Sequence, residues 1–157
     1  MNIRILAAAL LPLLCAWQPV AACNPDAPRP AILQGYAYDR TAAEYLLREA
    51  RSVVAARLAL RLDLELGEPG APAPRADYVF DVLEGWQEET PRRLTIAGTW
   101  VSCELELRTG RVFLLYLDGE RLLHAVPVEA LDFELALLGE PDWFYDASGR
   151  LVSTRED

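Results

Sequence analysis

The sequence predicts a mainly β domain: a small closed barrel of five or so strands, of the five-stranded OB type, with one helix before the strands and one after them. Three observations predict it. Leu58, Leu60, Leu62, Leu64 and Leu66 alternate with Ala59, Arg61, Asp63 and Glu65, the period of two that gives a strand one buried and one wet face. Tyr78, Phe80 and Val82 alternate against Val79, Asp81 and Leu83 in the same way. Asp118-Gly119 separates two apolar runs and is a two-residue hairpin signal.

The remaining elements follow in chain order. Residues 23–40 are rich in Pro, Asp and Arg, with Gly35, Tyr36 and Tyr38 near their end, and read as an irregular lead-in. Thr41-Ala42-Ala43-Glu44 has the form of a capping box. It opens a helix to about Ala50 with Tyr45, Leu46 and Glu49 at helical spacing. The first strand starts near Val53 and ends at a loop, residues 67–74, whose Pro and Gly cannot continue it. Strands are predicted at Asp77–Leu83, Arg93–Ala97, Trp100–Leu107, Arg111–Leu117 and Glu120–Val126. The run from Arg111 is almost wholly apolar and should be central. Pro127 is expected to open a second helix with Val128, Leu131, Leu135 and Leu138 on its core face, stopped by Gly139 and Pro141. The tail, 141–157, begins with Trp143, Phe144 and Tyr145 and ends polar, so it should fray. Closure removes exposed strand edges, and an OB-type barrel suits this length. A flat antiparallel α+β sheet is the alternative.

The N-terminus reads as an export signal over residues 1–22. Arg4 is its only cation, Ile5–Trp17 is apolar, and Val20-Ala21-Ala22 supplies small residues at a cleavage site. Pro12 and Gln18-Pro19 leave the apolar run short of the roughly 20 residues that a membrane-spanning helix needs. An exported location follows: periplasmic, anchored at the outer membrane, or secreted. The chain after the signal is one domain, 23–140, plus the tail. It holds fourteen Arg, no Lys and twenty-four acids, a net charge of −10. Such a surface repels phosphate backbones and argues against nucleic-acid partners.

The cysteines left after cleavage are Cys23 and Cys103. Two cysteines in an exported chain most simply form one disulfide. Closing so long a loop would stabilise the fold by about 4–5 kcal/mol in the chain-entropy account. Val20-Ala21-Ala22-Cys23 also fits a lipobox, in which the Cys23 sulfur carries a diacylglycerol and cannot pair. Outer-membrane attachment would follow only from that second use.

The order of these features is similar to the netrin-like (NTR) domains, the family of the tissue inhibitors of metalloproteinases. The carrying segments are Cys23, the run Glu49–Leu58, Tyr78-Val79-Phe80-Asp81-Val82 with Trp86, Ser102-Cys103-Glu104-Leu105, and Gly110-Arg111-Val112-Phe113-Leu114-Leu115-Tyr116. The resemblance spans roughly residues 23–126 and implies an OB barrel with a Cys23–Cys103 bridge. The family's second cysteine pair is missing at Pro25 and around His124–Val126, so no thiol is orphaned. In the inhibitors the N-terminal cysteine's amine and carbonyl chelate a protease zinc. The resemblance therefore makes Cys23 a chelator of a partner metalloprotease's metal, provided its amine is free. The family's motif after that cysteine is replaced by Asn24-Pro25-Asp26.

Catalytic constellations are thin. His124 is the only histidine and reads as a half-exposed strand residue, which leaves histidine triads and His-rich metal sites without members. Asp63/Glu65 and Glu104/Glu106 are the i, i+2 carboxylates of wet strand faces, and Glu88-Glu89 lies in a loop. Ser52, Ser102, Ser148 and Ser153 sit in no nucleophile elbow, and no Gly-rich phosphate loop occurs. Trp86, Trp100 and the Trp143–Tyr145 cluster are expected as core covers or a binding surface. The expectation is a binding or accessory module without catalysis or cofactor. Its partner would be a protein or envelope component, a metalloprotease among them.

Overall fold

A computed structural model of the chain describes residues 27, 29–34, 37–63, 76–102 and 105–155. The expected signal, Cys23, Cys103, Glu65, Glu104 and the 67–74 loop lie outside the described residues.

The elements are α1 (Arg40–Glu49), β1 (Ser52–Asp63), β2 (Ala76–Gln87), β3 (Arg93–Ala97), β4 (Val112–Asp118), β5 (Arg121–Pro127), α2 (Glu134–Leu138), β6 (Trp143–Tyr145) and β7 (Leu151–Ser153), with short 3-10 turns at Ala31–Leu33, Gly98–Trp100 and Val128–Ala130. The fold is mainly β, as the periodicities predict. The count and closure differ from the expectation: seven antiparallel strands form one open sheet, in the order β5-β4-β1-β2-β6-β7, with β3 also on β2. The outer edge of β2 is divided. Residues 77–81 pair with β3, and Glu84 and Gly85 pair with β6. The neighbours β4-β1-β2-β3 form a Greek key.

Both faces of the sheet's middle are buried. Val54, Ala56, Leu58, Phe80, Phe113, Leu115 and Trp143 belong to one cluster. Val53, Ala55, Leu114, Tyr116 and Trp86 join Leu46 of α1 in the other. Burial on two faces explains why β4 reads as a continuous apolar run, and it confirms β4's interior position. The hairpin after it forms, with Asp118 opposite Arg121, so Gly119-Glu120 are the loop residues. Gly119 takes φ +62°, a conformation that costs glycine little.

Four expectations fail for local reasons. The leucine alternation of β1 is broken by an irregularity between Leu58 and Leu60, where an extra residue reverses the side-chain phase. Leu58 stays buried, whereas Leu60 and Leu62 are 47% and 42% exposed. Over 100–107 the described residues form no strand beyond an isolated bridge at Ser102; Gly98–Trp100 is a 3-10 turn and 105–108 are irregular. The segment after Pro127 does not begin a long helix, because Pro127 still pairs with Phe113 and a 3-10 turn follows. Leu135 is consequently 58% exposed while Glu134 is 1% exposed. The tail is ordered over its described residues, 141–155: β6 and β7 make a hairpin on β2, with Trp143 in the core.

The helix cap is also displaced. Asp39, not Thr41, caps α1, its Oδ1 accepting from the Ala42 amide at 2.9 Å, while Glu44 pairs with Arg40 at 3.0 Å. Aspartate is the better acceptor at this position. Asp39→Ala is expected to cost about 1 kcal/mol in urea unfolding, and Thr41→Ala much less; equal losses would contradict the assignment.

Candidate functional site

The sheet is open between β3 and β5, and the chain that follows β3 runs along that seam with an isolated bridge at Ser102 and no strand among its described residues. After β3 the 3-10 turn delivers Trp100 towards β5, where the Arg121 guanidinium lies 5.8 Å from the indole ring centre. Beside this contact is a cleft of about 270 Å³. Leu33, Trp100, Leu105, Leu122 and Leu123 form its apolar walls, and Arg29, Tyr38, Ser102 and His124 bring polar atoms to it. It is thus bounded by the lead-in on one side and by β5 on the other.

Each polar group has an identifiable support. Tyr38 ends the irregular lead-in and places its ring centre 4.6 Å from that of His124 and 6.0 Å from that of Phe133. Its hydroxyl is 3.1 Å from the hydroxyl of Tyr116, which β4 holds opposite His124 on β5. Glu134, at the start of α2, is buried. Its Oε2 accepts the Asp132 and Phe133 amides at 2.9 and 3.1 Å, so the carboxylate organises the turn that carries it.

Burial dominates the electrostatics. It raises the Tyr38 hydroxyl far above its usual range, reinforced by Tyr116 and Glu134. It pushes Tyr116 up to about 12, with Glu134 adding and the Tyr38 hydrogen bond opposing. His124 is pushed down to about 4, mainly by desolvation; Arg29 adds to the lowering and Glu134 opposes it. At neutral pH the cleft therefore presents a neutral imidazole, with one nitrogen donating and one accepting, and un-ionised phenols.

The His124 shift has a definite sign in stability. Its folded value lies below the unfolded one, so the unfolded chain takes up the proton first. The contribution is complete above about pH 6.5 and is lost as pH falls towards 4. Between pH 7.5 and 5 the wild type should lose about 2 kcal/mol more stability than His124→Gln. Parallel urea midpoints for the two proteins across that interval would contradict it.

Of the residues singled out in the sequence, the structure brings His124, Trp100 and Ser102 to this cleft. Trp86 lies in the α1-side core, donating to the Gly139 carbonyl at 3.3 Å, and Trp143 lies in the other core. Ser52 is buried against Thr90 at 2.7 Å. Glu106 pairs with Arg108, and Glu88 and Glu89 are exposed. Among the described residues no group of three His, Cys, Asp or Glu is placed to hold a metal ion. Tyr38, Tyr116 and Glu134 were not legible as site residues. A glutamate inside Phe133-Glu134-Leu135-Ala136 reads as the wet side of a helix, and only the three-dimensional turn reverses it.

The chain matches no family model, no curated protein and no solved structure. Among the described residues no helix is long and apolar enough to cross a membrane.

Proposed function

We propose that this chain is an exported, non-catalytic binding module of the NTR-like kind, and that the cleft at the β3–β5 seam holds its ligand. The seam cleft carries this reading: apolar walls with a few convergent polar groups are the ordinary composition of a small-ligand site. Its polar complement suits a compact ligand with an apolar body and one hydrogen-bonding or anionic end, received by His124, Ser102 and Arg29. The Greek-key neighbours and the core wrapped by the sheet support an OB-type barrel with a loosened seam. The polar groups around His124 support binding over catalysis, since Glu134 is committed to backbone amides and the phenols stay protonated.

Cys23 is the mature N-terminus in this reading and is bridged to Cys103. Two measurements test the parts separately. Intact mass of the exported protein, reduced and unreduced, should show cleavage before Cys23 and a two-hydrogen difference; a lipid adduct would replace the bridge by an outer-membrane anchor and remove the chelating amine. For the cleft, 1-anilinonaphthalene-8-sulfonate should bind with one-to-one saturable fluorescence. Ala37→Trp, which fills the cleft from an exposed position, should abolish the binding without altering the melting temperature. Undiminished binding to that variant sinks the assignment.

A further inference from the structure

A second concavity, sharing no residue with the seam cleft, lies where β1, β2 and the start of β3 meet the β6–β7 hairpin. It is a groove of about 670 Å³, and Arg57, Arg92 and Arg93 converge on it, with Asp81, Tyr145 and Asp146. Three guanidiniums in one groove are unexpected on a chain whose formal charge is −9.

The acids in the groove are already engaged. Arg93 donates to Asp81 Oδ1 through Nε at 3.2 Å and Nη2 at 3.1 Å. Asp146 closes the β6–β7 turn: its Oδ1 accepts from the Ser148 amide, the Ser148 hydroxyl and the Arg150 amide at 2.9, 2.6 and 3.0 Å. Its Oδ2 takes Arg150 Nη2 at 3.2 Å. Arg57 and Arg92 enter no ion pair among the described residues. Arg57 stands opposite Asp81 in the ladder, and Asp81 stands opposite Arg93. Arg92, whose carbonyl accepts the Val82 amide at 2.8 Å, likewise lies across β2 from Arg57. Two strand spacings, about 10 Å at the backbone, are close enough for the two side chains to reach one ligand from both sides.

Arg92 is also positioned. Its guanidinium lies over Gly149, where a Cβ would collide with it, and Gly149 has φ +80°. The turn thus leaves a space that the guanidinium fills. Tyr145, on the same turn's strand, donates to the Thr90 carbonyl at 2.8 Å, tying the hairpin to the segment that carries Arg92.

We infer that this groove binds an oxyanion, the phosphate or carboxylate of a small polyanionic ligand, held by the planar forks of Arg57 and Arg92 with Arg93 beside them. Guanidinium forks match both oxyanions in a two-toothed geometry that a single ammonium charge does not reproduce. The acidic remainder of the surface does not oppose this at physiological salt, because charges beyond about 8–10 Å are screened.

The test is calorimetric melting of the full chain with sodium pyrophosphate or sodium citrate, at ionic strength held constant with chloride. A ligand that binds only the folded protein raises the melting temperature with concentration. One or both anions should give a rise that saturates. It should vanish in Arg57→Gln/Arg92→Gln, persist in the charge-matched control Arg48→Gln/Arg108→Gln, and fall at least fivefold in apparent affinity in Arg57→Lys/Arg92→Lys. Response to pyrophosphate alone assigns the phosphate source, and response to citrate alone the carboxylate source. No response to either anion, or one retained by the Gln pair or lost equally by the control, overturns the inference. None of these outcomes bears on the seam cleft.

Discussion

Gly85→Ala is expected to be the most damaging small substitution in the molecule, lowering stability by about 3 kcal/mol, the upper end of the range for overpacking. Gly85 is buried in β2, directly opposite Trp143 of β6. A Cβ at this position would overlap the indole six-membered ring. The neighbour cannot yield cheaply. Trp143 is 2% exposed, packs edge-on to Tyr145 with centroids 5.9 Å apart, and belongs to the main core. The clash therefore moves the β6–β7 hairpin away from β2 rather than merely rotating a side chain. Trp143→Phe should relieve part of it, so the double variant is more stable than the sum of the single losses predicts. Urea denaturation of the four proteins measures this. A loss below about 0.5 kcal/mol for Gly85→Ala would mean that Trp143 does not sit over β2.

Glu134→Ala should cost about 3 kcal/mol, by a different mechanism. The carboxylate accepts the Asp132 and Phe133 amides, and a donor left unsatisfied at a buried site costs about 1–3 kcal/mol. Glu134→Gln keeps one acceptor oxygen and should cost roughly half as much. The charge has its own readout. Glu134 is the influence that raises the His124 pKa against burial, so Glu134→Gln should move the imidazole titration below its wild-type value of about 4. It should also ease Tyr116 down from about 12. An unchanged His124 titration by NMR would place Glu134 outside the electrostatic reach of the cleft.

Legibility followed the range of the interactions concerned. The paired apolar rows of β2, the double burial of β4 and the hairpin at Gly119 are written in side-chain periodicity and turn chemistry, and they were readable. The irregularity between Leu58 and Leu60 was not, because one extra residue in a ladder leaves the local alternation intact while reversing which face each leucine occupies. Trp100–Leu107 alternates as a strand does, yet among its described residues only Ser102 makes a bridge: alternation records which residues want burial, not which backbone groups pair. The β6–β7 hairpin was hidden by a polar tail that gains its order from Gly85 and from Asp142, whose Oδ2 accepts the Gln87 amide at 2.8 Å. His124 was visible as the single imidazole, but its support by Tyr38, Tyr116 and Glu134 joins residues remote in sequence.

The role assigned to the seam is tested most directly by locating a bound probe. Backbone amide shifts of the full chain, recorded while 1-anilinonaphthalene-8-sulfonate is titrated in, should move first at Ser102, Leu105, Leu122, Leu123 and His124, along one saturation curve. Shifts centred instead on the exposed leucines Leu60 and Leu62, or spread over the surface with no saturation, would contradict the seam as the binding site.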